Sequence, residues 1–192
     1  MKKYFKKLLF VSTITFLIIS ANAQKKSING EKSNIRWYGE QITGKQHYGN
    51  LKFSNGEIEL KNDIIVSGFF VVEMNSLTVE DLSGGGKERL EGHLKAQDFF
   101  NVSDFPIARL KITQSGKFDG NVQKIEADLT IKGTTHPVTF DMEIISNKIG
   151  NSTLVFDRSK YNVRHRSGSF FDDLGDRLIL DDIRLDVELH LD

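Results

Sequence analysis

The chain is 192 residues long, carries 26 basic and 26 acidic side chains, and contains no cysteine. Its balanced charge argues against a nucleic-acid-binding protein, which needs a basic stripe, and without cysteine no disulfide can support the fold. Aromatic and β-branched residues are too frequent for a disordered chain, so we expect a domain held together by its own apolar core.

The first 23 residues have the form of a secretory signal peptide. Basic residues precede an apolar run over residues 8–19, which is shorter than the roughly 20 residues that a membrane-spanning helix needs. Ala21-Asn22-Ala23 has the small-x-small form at which signal peptides are cut, so we predict cleavage after Ala23. The expected mature protein is one domain over residues 24–192, located in the periplasm or secreted.

Beyond this leader, short segments of alternating polarity separated by turn residues predict an antiparallel β-structure. The first predicted strand places Ile35 and Trp37 on one face. Asn55-Gly56 is a strong hairpin signal, so we expect the chain to turn there, between a strand over residues 51–53 and a return strand over residues 58–60.

The next predicted strand, over residues 66–75, is apolar on both faces. A strand of this kind is covered on both sides, and the expected cover is a helix over residues 87–97. Leu90 and Leu94, four residues apart, give that helix one apolar edge. The residues 83–86, one serine and three glycines, are expected to form a flexible lead into the helix, and Phe99-Phe100 to wedge its end against the β-structure.

The strands that follow alternate around residues 108–112, 127–131, 138–144 and 154–156, and strict alternation over residues 183–191 closes the chain. The sequence therefore predicts an all-β fold, an extended eight-stranded antiparallel β-barrel with one short helix packed against it. Eight strands closed on themselves leave an interior just wide enough for side chains or for one slender ligand.

The alternation also predicts one inward-facing set of large apolar side chains. Its members are Trp37, Phe53, Phe70, Val72, Met74, Leu110, Leu129, Phe140, Met142, Phe156 and Leu185. Such a set forms either a packed core or the wall of an apolar pocket, in which methionine adapts to irregular shapes. The residue pattern alone leaves both interpretations open.

The polar residues indicate little chemistry. The five histidines occur at no spacing typical of a metal site, and no nucleophile with an acid–base partner stands out, so we predict neither a metal nor a catalytic site. Lys160, Arg164, His165 and Arg166 form a basic loop, which is either solvated or a cluster at a barrel mouth that binds an anionic head group, with Lys160, Arg164 and Arg166 as the candidate contacts. Arg158 is interpreted as structural, paired with Asp157 or another buried carboxylate.

Several segments, taken in order, resemble the YceI-like family. They are residues 47–53 (HYGNLKF), 75–77 (NSL), 90–106 (LEGHLKAQDFFNVSDFP), 127–135 (ADLTIKGTT) and 156–161 (FDRSKY). Each motif alone is unspecific, whereas five in the right order are specific. Ala127 and Asn162 stand where the family usually has glycine, and asparagine can still adopt the left-handed turn conformation.

The resemblance implies a lipocalin-like barrel whose apolar lumen carries a polyisoprenoid, a fatty acid, a fatty amide or a similar long-chain lipid. The inward-facing set then becomes the expected ligand contact, and the basic loop the expected head-group contact. We expect an exported lipid carrier without catalytic activity or cofactor. A structural module with a filled barrel and a lipid-modifying enzyme are the alternatives, and a transient membrane contact and a homodimer are compatible with this interpretation.

Overall fold

The structure is a computed structural model that describes residues 23–62, 64–146 and 148–192. The predicted signal peptide lies outside the described residues except for Ala23, the first residue of a strand. The elements in chain order are β1 (Ala23–Ser27), β2 (Asn34–Glu40), β3 (Gln46–Lys61), β4 (Ile64–Glu73), α1 (Gly84–Lys95), β5 (Ile107–Asp119), β6 (Val122–Ile131), β7 (Thr134–Ser146), β8 (Ile149–Asp157) and β9 (Asp182–His190). Within these described ranges, no helix combines the length and the apolar character that crossing a bilayer requires.

Eight of these strands close into an antiparallel barrel. The hydrogen-bonded order runs β3-β2-β9-β8-β7-β6-β5-β4, and β4 pairs again with β3. β1 adds to the edge of β3 beyond the end of β2, where Ala23 lies opposite Lys61. The predicted eight-stranded barrel with one helix is therefore confirmed, and each of its eight strands is paired on both sides over part of its length.

The hairpin predicted at Asn55-Gly56 is wrong. β3 continues through both residues, and a register shift between Phe53 and Asn55 moves the inward face by one residue. A side chain at Gly56 would collide with Ile28 and would approach the Phe69 carbonyl oxygen to 3.1 Å, so the glycine serves a close approach of strands rather than a turn.

The helix also differs from its prediction in extent and position. The glycines at 84–86 are not a flexible lead but form its first turn, after Ser83 in the extended conformation of an N-cap. The expectation that the helix covers the outer face of β4 is wrong as well, because Phe69 on that face is 39% exposed. Instead, α1 lies across one open end of the barrel with Leu90 and Leu94 facing inward.

The barrel thus has two different ends. At the helix end lie α1, the turn at residues 96–106 and the segment 158–181, whereas the hairpin end carries the tight connections β3–β4, β5–β6 and β7–β8. The interior near the hairpin end is filled by aliphatic side chains. They are Ile58, Leu60, Ile65, Ile112, Ile125 and Ala127, each at most 7% exposed.

One buried amide completes the hairpin end. β4 pairs with β5 only from Gly68 onward, so the backbone of Ile65 has no ladder partner on that side. The fully buried Gln123 side chain takes this place, because its Oε1 accepts from the Ile65 N–H at 3.1 Å and its Nε2 donates to the Ile65 carbonyl at 2.8 Å. A second bond from Nε2 to the Gly116 carbonyl, at 3.0 Å, satisfies the rest of the amide.

Candidate functional site

An apolar cavity of about 250 Å³ lies inside the barrel, open toward the helix end. Each of the eight strands of the closed ring contributes side chains to its wall, since alternate residues of a strand point to the same face. The structure brings every member of the predicted inward-facing set to this wall. They are Trp37, Phe53, Phe70, Val72, Met74, Leu110, Leu129, Phe140, Met142, Phe156 and Leu185.

The helix end supplies lining residues that alternation did not identify. Leu90 and Leu94 of α1 face the cavity, and so do Phe99 and Phe100 of the following turn. Phe99 is only 4% exposed, in agreement with the predicted wedge. The two rings meet edge to face at 5.0 Å, a favourable aromatic geometry.

Arg158 fixes the segment that borders the mouth of the cavity. Its side chain is fully buried, and its guanidinium lies 3.3 Å from the carboxylate of Asp181. It also donates to three backbone carbonyl oxygens, those of Leu180, Val163 and Ile179, at 3.2, 3.1 and 3.0 Å. The structural interpretation of Arg158 is correct with Asp181 as its partner, because Asp157 accepts from the Ser159 N–H and hydroxyl instead.

A second contact ties the segment before α1 to the barrel rim. The Asp81 carboxylate accepts from the Tyr48 N–H at 3.0 Å and lies 2.6 Å from His47 Nδ1. Burial by itself would raise the pKa of Asp81, but the hydrogen bonds from Tyr48 and His47 outweigh it and lower the pKa below its ordinary value. The carboxylate therefore holds this segment best when it is ionised.

Beside the mouth lies a groove that we call the basic groove, because Lys132, Arg164 and Arg166 line it. Arg166 also lines the apolar cavity, so the two spaces adjoin. Of the predicted head-group residues, Arg164 and Arg166 lie here, whereas Lys160 borders neither space. Lys132 was not predicted. Its Nζ donates to the Phe99 carbonyl at 2.8 Å, and burial lowers its pKa.

Three further polar side chains meet at the same mouth, from two separate segments. His93 and His165 stack edge to face at 4.2 Å, and His165 Nδ1 lies 3.2 Å from Asp98 Oδ2. Sequence reasoning did not identify this cluster, because the two histidines are far apart in the chain. Only the packing of α1 against the segment after β8 brings them together.

These features define a closed antiparallel β-barrel with a hollow, apolar interior and a polar mouth beside α1. The family model of the YceI-like domain matches residues 27–191, and the chain belongs to this family. The resemblance identified from the motifs is thereby confirmed.

Individual relatives agree with this assignment. Protein YceI of Escherichia coli O157:H7 is 31% identical over 98 residues, which cover 51% of this chain and 49% of that protein, so the match spans about half of the curated relative. BcnA of Burkholderia cenocepacia shares the fold with a TM-score of 0.67 at 19% identity, over 84% of this chain and 98% of its own. A polyisoprenoid binding domain from Saccharophagus degradans gives a TM-score of 0.57 at 13% identity, over 87% and 97% of the two chains.

Proposed function

We propose that the protein is an exported, non-catalytic carrier that binds a long-chain apolar lipid inside the barrel. The observation that carries the proposal is the apolar wall of the cavity, to which every strand of the closed ring contributes. Each CH₂ group moved out of water contributes about 0.8 kcal/mol, so a 16-carbon chain offers roughly 10 kcal/mol before ordering costs. Affinity of this origin requires no covalent chemistry.

The chemical class of the ligand follows from the shape of the site. A slender barrel interior accepts an unbranched or regularly branched chain, which makes a polyisoprenoid, a fatty acid or a fatty amide the candidates. The solved neighbour from Saccharophagus degradans is described as a polyisoprenoid binding domain, which supports the first of these for a chain of the same family.

The test is extraction of the purified protein with organic solvent followed by mass spectrometry. We expect a long-chain lipid in near-stoichiometric amount from the wild type and none from Leu129→Asp, because an unpaired carboxylate in an apolar site is costly. Val155→Asp is the matched control, since Val155 is 51% exposed on the outside of the barrel. Lipid-free wild-type protein from several expression hosts would contradict the carrier function and favour the structural module.

The basic groove is proposed to select the head group of the lipid. It adjoins the cavity at Arg166, and arginine side chains bind carboxylates and phosphates through paired hydrogen bonds. Replacing Arg164 and Arg166 by glutamine should weaken the binding of a long-chain acid several-fold, because each solvated charge contact contributes about 1 kcal/mol or less. Binding of the matching amide should be almost unchanged. Lys160→Gln, outside the groove, is the control, and equal loss of acid and amide would exclude a head-group role.

Export is the remaining part of the proposal. It is supported by the basic and apolar segments of the leader, and mass determination of the secreted or periplasmic protein should give a mature N-terminus at Gln24. An uncleaved chain in the cytoplasm would contradict it. A transient membrane contact during lipid transfer and a homodimer remain predictions that cross-linking and sedimentation can address.

A further inference from the structure

We propose that His93, Asp98 and His165 form a binding site for one divalent transition-metal ion, of the type of Zn²⁺, at the helix end of the barrel. The site borders both spaces at the mouth, because His93 and His165 also line the apolar cavity and Asp98 and His165 the basic groove. All three donor atoms come from protein side chains, so binding of the ion requires no lipid.

The first argument is the convergence of the donor atoms. One ligand atom from each of the three side chains lies within 4.8 Å of the other two. The shared carboxylate oxygen, Asp98 Oδ2, is 3.2 Å from His165 Nδ1 and 3.8 Å from His93 Nδ1. Zinc binds nitrogen and oxygen ligands at about 2.0–2.2 Å. Small rotations of the three side chains would therefore bring their donor atoms to bonding distance of one ion.

The second argument is that the donors are available. Neither ring nitrogen of His93 is committed to a hydrogen bond among the described residues: Nδ1 lies 3.8 Å from Asp98 Oδ2, beyond hydrogen-bond distance, and Nε2 is buried without a partner. A neutral imidazole offers the lone pair that coordination needs.

The third argument concerns which cation the site can hold. Positive charges lie close by: the Arg166 guanidinium interacts electrostatically with His165, and the Lys132 ammonium group with Asp98. Hard cations such as Ca²⁺ and Mg²⁺ require six or more oxygen ligands and are held mainly by charge, so this surrounding disfavours them. Zn²⁺, Co²⁺, Ni²⁺ and Cu²⁺ form directed bonds to imidazole and suit two histidines and one carboxylate, with a fourth position left for water.

Such an ion would join two segments that the backbone does not connect directly. His93 and Asp98 lie at the end of α1 and in the turn after it, whereas His165 belongs to the segment 158–181. Coordination would therefore fix the two sides of the mouth to each other, and binding to the folded state alone would raise the stability of the protein.

The experiment is a titration of the chelator-treated mature protein with Co²⁺, followed by displacement with Zn²⁺. We expect visible absorption bands typical of four-coordinate Co²⁺ at one ion per chain, their loss on addition of Zn²⁺, and no displacement by Mg²⁺ or Ca²⁺. In parallel, Zn²⁺ should raise the melting temperature of the wild type in a concentration-dependent way.

Three variants and one control assign the ligands. We expect each of the variants His93→Ala, His165→Ala and Asp98→Asn to lower the affinity for Zn²⁺ by at least about 10–100-fold. That is the loss typical of removing a residue that only supports a metal ligand. His190→Ala is the matched control, because His190 also pairs with a carboxylate, Glu188, at 2.6 Å but has no second histidine in that pair.

Asp98→Asn keeps the test decisive if a histidine variant fails to fold, since the Asp98 side chain is 55% exposed and its loss leaves the core intact. Absence of a one-to-one complex in the wild type, or Zn²⁺ affinity equal in the wild type and Asp98→Asn, would overturn the proposal. Neither result bears on the lipid extraction, so failure of the metal site and failure of the carrier function are separable.

Discussion

The two ends of the barrel are built from the same strands but use them differently. On β6, Ile125 and Leu129 both point inward, yet Ile125 is packed on all sides whereas Leu129 faces the cavity. Two buried polar side chains show the same contrast. Gln123 at the hairpin end has its hydrogen bonds satisfied, whereas His93 at the helix end retains a buried nitrogen without a partner among the described residues.

This difference indicates a division of labour between stability and function. A filled interior with satisfied polar groups gains dispersion contacts and lowers the free energy of the folded state. A hollow interior with unsatisfied groups gives up part of that stability and keeps room for a ligand, as functional sites commonly do. Four predictions test the division, from the largest expected effect to the smallest.

Arg158→Met should cost about 3–5 kcal/mol of unfolding free energy, because it leaves the Asp181 carboxylate without its ion-pair partner and three backbone carbonyl oxygens without their donor. Urea denaturation measures this loss. The same substitution at Arg184, whose side chain is 46% exposed, should cost less than about 1 kcal/mol. Similar values for the two variants would mean that the helix end is not held by Arg158.

Ile125→Ala and Leu129→Ala make the same kind of truncation in the two halves of β6. Ile125→Ala creates a new void in a filled region and should cost about 2–5 kcal/mol. Leu129→Ala enlarges a cavity that already exists, so in lipid-free protein its cost should fall at or below the lower end of that range. Thermal unfolding of the two delipidated variants compares them directly, and equal costs would argue that the barrel is equally filled throughout.

Gln123→Leu removes the amide that replaces the missing ladder between β4 and β5. The Ile65 N–H loses its partner in a buried site, for an expected cost of about 1–3 kcal/mol. Gln114→Leu on the exposed face of β5 is the control and should be close to neutral. Lipid content should remain at the wild-type level, and a Gln123→Leu protein that loses its lipid would show that the two ends are coupled.

Asp81→Asn should have the smallest effect, about 1 kcal/mol at neutral pH, since asparagine can still accept from the Tyr48 N–H. The effect should depend on pH in a defined direction. The folded pKa of Asp81 is lowered, so its contribution is present above its ordinary pKa of 3.8 and is lost as the pH falls through the folded value. Denaturation curves should therefore show a smaller difference in unfolding free energy between wild type and variant at pH 3 than at pH 7. An equal difference at both pH values would exclude the ionised carboxylate as the cause.

Much of the fold could be predicted because alternation reports directly which side of a strand is buried. Alternation predicts the barrel and an inward-facing residue in each strand of the ring, whereas the helix is predicted from the four-residue spacing of Leu90 and Leu94. Alternation does not distinguish a glycine that permits close strand approach from one that forms a turn, which is why the hairpin at Asn55-Gly56 was wrong. It also cannot tell a packed interior from a hollow one.

The mouth was the least predictable part of the molecule. Lys160 was grouped with Arg164 and Arg166 by closeness in sequence, but the tight turn at Asn162, where φ is 58°, separates it from them in space. Lys132 and the meeting of His93 with His165 depend on contacts between distant segments. Such contacts become visible only when the barrel has closed and the helix lies across its end.

The pairing of β2 with β9 determines when the interior of the barrel becomes enclosed during folding. Trp37 lies opposite Leu185 in that pairing, and β9 forms one wall of the cavity. A nascent chain therefore has no enclosed interior until β9 has been synthesised and has paired with β2, a long-range step that is slow for β-proteins. Under the proposed carrier function, a lipid can be enclosed only after that step. A protein that lacks β9 should therefore capture no lipid, and its unpaired strands should make it prone to aggregate.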